Sequence, residues 1–110
     1  MKKLVEFNNK RVFLDTESAT RIAQEQYLNG GYISGEKILY MAKKGDETVL
    51  FMTEWTQYQD DDLLWFKSSN SELKVSTINW IIENVLEDGE EFLEKISSLY
   101  ESFESMEDEK

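Results

Sequence analysis

Eleven carboxylates are gathered between Glu83 and the last residue, against two lysines, and three more stand side by side at Asp60, Asp61 and Asp62. Such groups can share a proton with a partner acid, hold a hard cation, or present an anionic surface to something basic. Cation binding fits poorly. The three aspartates are consecutive, so their side chains splay apart, and the spacing and glycine of an EF-hand loop are missing. For acid–base chemistry the candidates are many and nothing singles out a pair. The chain has no His and no Cys, which excludes Cys/His zinc sites, thiol nucleophiles and Ser–His catalysis. Gly30-Gly31 and Gly35 lack the spacing of a phosphate loop. The expectation is a protein that is not an enzyme, with no cofactor, no metal and no catalytic residues.

An anionic surface remains. Residues 1–44 carry eight cations and five acids, residues 45–110 four cations and eighteen acids, and the whole chain has a formal charge of −11. Asymmetry of this kind speaks of an interaction surface more than of a fold. Glu83/Glu87, Glu87/Glu91, Glu90/Glu94 and Glu104/Asp108 are like charges four apart, and each such pair costs a helix about 0.2–0.5 kcal/mol. Glu91/Lys95 is the favourably oriented opposite pair. A continuous helix from Glu83 onward would be about 42 Å long, with one carboxylate per ~3.8 Å of axis. One strand of B-DNA carries a phosphate per ~3.4 Å. The partner-binding candidates are therefore Asp60, Asp61, Asp62, Glu83, Glu87, Asp88, Glu90, Glu91, Glu94, Glu101 and Glu104. The partner they imply is a basic protein, in particular an enzyme whose own basic groove takes nucleic acid. Direct nucleic-acid binding is not expected. Lys2, Lys3, Lys10 and Arg11 could touch phosphate, but the overall charge repels it, and lysines also guard strand edges. The plain alternative for the acids is a surface that keeps the chain dissolved.

These side chains must be positioned by an α+β fold. Leu4–Phe7 and Arg11–Leu14 flank Asn8-Asn9-Lys10 and predict a tight hairpin. Thr16 or Ser18 predicts the cap of a short helix through about Leu28, with Ala19, Ile22, Ala23 and Gln26 or Tyr27 on one face. Gly31–Gly35 is expected as a loop. Lys37–Lys43, Thr48–Tyr58 and Leu63–Lys67 predict a three-stranded meander, with Gln59–Asp62 as its second turn. Thr48–Tyr58 is apolar on both faces, which predicts a central strand. From Ile78 the apolar positions run Ile78, Ile82, Val85, then Phe92, Ile96, Leu99, Phe103 and Met106 in steps of three, four and seven. That is a heptad-like seam interrupted at Gly89. The seam residues Phe92, Ile96, Leu99 and Phe103 could pair two copies into a homodimer. The expected architecture is an antiparallel sheet, made of the hairpin and the meander, covered by the short helix and by a long or Gly-kinked C-terminal helical segment. Residues 1–106 form one domain, and 107–110 a frayed acidic tail.

In size and charge the chain resembles the small acidic proteins that phages deploy against host nucleases, the anti-CRISPR type among them. The likeness is one of composition over the whole chain and implies no particular fold or residue. An immunity- or antitoxin-like protein that neutralises a basic toxin has the same physics. A third reading is an oligomerisation module built on the heptad seam. No stretch approaches the apolar length of a spanning helix, and Glu6, Asn8 and Asn9 break the run that would follow Lys2-Lys3 in a signal peptide. No membrane contact is expected, and the expected location is cytoplasmic, in the host cell if a phage encodes the chain.

Overall fold

Asn8 and Asn9 adopt positive φ (52° and 63°), which asparagine tolerates better than most residues, and they close the first hairpin. Its strands are β1 (Lys2–Phe7) and β2 (Lys10–Asp15), paired antiparallel in a two-stranded sheet of their own. The computed structural model of the chain describes residues 1–69 and 71–94. After the hairpin the chain builds a four-stranded antiparallel meander: β3 (Thr20–Asn29), β4 (Tyr32–Lys44), β5 (Glu47–Thr56) and β6 (Gln59–Ser68), in that order across the sheet. Helix α1 (Val75–Asn84) follows, then a 3-10 turn at Glu87–Gly89, and helical conformation resumes at Glu90.

The sheet is covered on both faces. Leu39, Leu50 and Met52 pack with Ile22, Ala23, Leu73, Ile78, Ile81 and Phe92 on the helix side. Ile38, Tyr40, Val49 and Phe51 pack with Leu14 of the hairpin on the other. Alternation along β5 sends Val49 and Phe51 to the hairpin and Leu50 and Met52 to the helix. With β4 and β6 on either side, β5 is buried continuously from Val49 to Thr53. The expected central strand is what its two apolar faces dictate.

Three expectations need correction within this α+β fold. The helix expected from Thr16 or Ser18 to about Leu28 is instead β3. Asp15 folds the preceding turn, its Oδ1 accepting from the Glu17 amide at 3.0 Å, and no helix starts there. The meander therefore has four strands. The helical spacing of Ile22, Ala23 and Tyr27 arises from bulges: the register with β4 shifts between Arg21 and Ala23 and again between Tyr27 and Leu28. Ile22 and Ala23 thus reach the same core as consecutive residues, which breaks the period of two and imitates that of a helix.

The expected loop at Gly31–Gly35 lies almost wholly in β4. The turn is Gly30-Gly31, both with positive φ (60° and 93°), as a two-residue hairpin turn requires. Gly35 is an in-strand glycine, because a Cβ there would lie 2.5 Å from the Trp55 carbonyl oxygen and 2.9 Å from the Tyr27 ring. The expected turn at Gln59–Asp62 is likewise strand. The chain reverses at Gln57-Tyr58, and Asp60, Asp61 and Asp62 lie exposed in β6. That strand borders the sheet, where charge is tolerated and discourages pairing with other chains.

Candidate functional site

The acidic stretch after Ile81 is anchored at its backbone. Ile78 and Ile81 seat α1 on the core, and the helix stops at Asn84, whose Nδ2 donates to the Trp80 carbonyl at 2.9 Å. Val85 is extended and bridges Ala23 at the edge of β3. The Leu86 amide donates to the Ile22 carbonyl at 2.9 Å, and the Gly89 amide to the Leu86 carbonyl at 2.9 Å. Gly89 is buried directly on Ile22: a Cβ would overlap the Ile22 carbonyl oxygen and lie 2.9 Å from its carbonyl carbon. Phe92, 4% exposed, plugs into the helix-side core. Gly89 and Phe92 point the backbone inward, and Glu83, Glu87, Asp88, Glu90, Glu91 and Glu94 are all exposed.

The continuous helical row of carboxylates expected here is not formed. The helical path is interrupted from Val85 to Gly89, so the six exposed acids are carried by a broken segment held beside β3 and do not form an even ladder. Asp60, Asp61 and Asp62 are not brought to that segment. They sit on β6, three strand spacings across the sheet from β3, a distance of about 14 Å or more. Asp62 is met by Lys3 of the hairpin at 3.7 Å. Phe92, a seam residue that could pack within the chain or against a second copy, packs within the chain; Ile96, Leu99 and Phe103, with the acids Glu101 and Glu104, lie outside the described residues.

A feature that sequence reasoning missed crosses the sheet above the helix-side core. Glu25, Lys37 and Glu54 are successive register partners on β3, β4 and β5. Lys37 Nζ lies 4.0 Å from Glu25 and 5.1 Å from the Trp80 ring centre, and Trp80 Nε1 donates to Glu25 Oε1 at 2.8 Å. A cleft of about 370 Å³ opens beside them, lined by Lys37, Met52, Leu64, Trp65, Thr77 and Trp80. The alternation of charge becomes visible in the sequence only when residues 20–29 are read as a strand. Among the described residues no group of acids is placed to hold a metal ion.

Next along β3, the Tyr27 hydroxyl donates to Glu54 Oε2 at 2.6 Å. Burial pushes the Tyr27 phenol well above the ordinary tyrosine value, and the hydrogen bond to Glu54, with the charges of Glu54 and Glu25, pushes it further. On the hairpin side burial also raises Tyr40, with Arg21 opposing. Raised phenols favour the folded state while neutral. That contribution is full below the ordinary value of 10.0 and is lost as the pH climbs through the folded-state values. Stability should therefore fall more steeply above pH 10 in the wild type than in the double variant Tyr27→Phe, Tyr40→Phe, as read by urea midpoints against pH. At pH 7 the Tyr27→Phe change alone should cost about 1 kcal/mol for the lost hydrogen bond.

No protein-family model matches the chain, and no curated protein or solved structure does either.

Proposed function

We propose that this chain is a small acidic inhibitor that binds the basic, nucleic-acid-binding surface of a partner enzyme, using the segment Glu83–Glu94 as a phosphate-like row. One observation carries the reading: six exposed carboxylates, with no cation in the same twelve residues, are displayed from a backbone held to β3 by the Leu86–Ile22 hydrogen bond and by the buried Gly89 and Phe92. Anchoring lowers the ordering cost of binding, and like charges gathered on one segment are relieved by meeting cations. The reading gives the chain no catalytic role, a cytoplasmic location, and the host cytoplasm if a phage encodes it. An immunity-like protein facing a basic toxin would use the same segment, and the partner's identity decides between them.

The test is capture of a partner from the native host, followed by binding measurements with the purified pair. The partner should be basic, and DNA should compete for it. Its affinity should drop steeply with salt, because ions return to both surfaces on dissociation. Glu87→Lys, Glu90→Lys and Glu91→Lys together should weaken binding roughly a hundredfold while leaving the urea midpoint nearly unchanged. Affinity indifferent to salt, or untouched by the triple reversal, would remove the proposal.

A further inference from the structure

Among the described residues, four of the eight exposed large apolar side chains lie at one end of the four-stranded sheet. Leu28 (71% exposed), Tyr32 (67%) and Ile33 (43%) surround the Gly30-Gly31 turn, and Tyr58 (90%) forms the neighbouring β5–β6 turn. The two turns are tied by the Gln57 amide, which donates to the Ser34 carbonyl at 2.8 Å. Leu28 and Ile33 are register partners, so they stand side by side on one face of the hairpin. Beyond Ser34 the β3–β4 hairpin outruns β5, which begins to pair with β4 at Gly35. This end therefore projects past the core, whose last buried apolar residue on β4 in that direction is Ile38. An apolar cluster that contributes nothing to the core and is exposed at the end of a projecting hairpin marks a contact site.

The surrounding charge says what fits it. Residues 26–36 and 55–61 contain Glu36, Asp60 and Asp61 and no lysine or arginine. Glu36 accepts from Gln24 Nε2, while Asp60 and Asp61 lie exposed just past Tyr58. An anionic lipid surface or a nucleic acid would be repelled, and a second copy would bring three more acids against these three. Apolar anchors beside acids suit a protein segment in which apolar side chains alternate with lysines or arginines.

We infer that this end of the sheet is a docking surface for an amphipathic basic protein segment, with Leu28 and Ile33, beside the Tyr58 turn, taking its apolar side and Asp60 and Asp61 its cations. The inference rests on the proposed function in one respect, the cationic nature of the partner, and adds a second, largely apolar contact about 20 Å along β3 from Ile22, where the acidic segment is anchored.

The test is backbone amide NMR on the full chain, titrated with a synthetic 14-residue peptide of leucines and lysines at helical spacing. Parallel arms use the same peptide with glutamate for lysine, phosphatidylcholine–phosphatidylglycerol vesicles, and dilution of the protein alone. Saturable shifts at residues 28–35 and 57–61 with the basic peptide alone are expected. Leu28→Asp with Tyr58→Asp, both exposed positions, should weaken that binding at least about tenfold and leave the rest of the spectrum in place. Shifts confined to Glu83–Glu94 would overturn this inference and spare the proposed function. Shifts at the turns with a silent acidic segment would support the inference and count against that function. Turn shifts produced by vesicles or by dilution would replace the occupant with lipid or a second copy, and no turn shift in any arm would remove the site.

Discussion

Phe51→Ala is expected to lower the folding free energy by about 3–5 kcal/mol. The ring is 0% exposed in the middle of β5, stacked on Tyr40 with centres 5.1 Å apart and planes 14° from parallel. It packs with Leu14 from the hairpin and with Ile38 and Val49 from its own sheet. Removing it opens a cavity between two layers that are each pinned by hydrogen-bonded strands, so the site cannot collapse cheaply. A domain of this size holds roughly 5–15 kcal/mol in total, and the variant should sit near its unfolding midpoint or beyond it at modest urea. Phe13→Ala supplies the contrast. Its ring lies half exposed on the hairpin's outer side, under Lys2 at 4.8 Å, and should cost less than about 1 kcal/mol. Equal urea midpoints for the two variants would mean that the hairpin is not seated on Phe51.

The second large effect concerns Gly89→Val, expected to cost about 3 kcal/mol and to loosen the acidic segment as well. A side chain at this position is driven into backbone, the carbonyl of Ile22, and not into a movable side chain. Ile22 cannot retreat easily, because its side chain is buried in the helix-side core and its neighbours Arg21 and Ala23 are paired with Tyr40 and Leu39 of β4. The segment around the 3-10 turn must then lift away, breaking the Leu86–Ile22 hydrogen bond and drawing Phe92 out of the core. Urea midpoints measure the first consequence, and faster hydrogen exchange at the Leu86 amide measures the second. Asp88→Ala, one residue away and exposed, should stay within about 0.5 kcal/mol of wild type. A Gly89→Val protein with native stability and a protected Leu86 amide would show that the close approach to Ile22 does not exist.

What could be read from residue order is local in origin. Two asparagines suited to positive φ, largely apolar faces on both sides of Thr48–Tyr58, and a glycine in the middle of a helical seam each report on their own few residues. They yielded the first hairpin and the central strand, and left open whether the helix breaks near Gly89. The composition likewise showed that the acids are crowded into the second half. Pairing was hidden, because it depends on residues far apart in the chain. Residues 20–29 have the spacing of a helix and become a strand only because bulges against β4 let Ile22 and Ala23 enter one core together. Gly35 belongs in a strand because Tyr27 and Trp55 close over it, and neither is its neighbour in sequence. The two acidic clusters look like one reservoir of charge along the chain. Sheet order places them on opposite edges, since β3 and β6 are separated by two strands whose apolar faces must be covered from both sides.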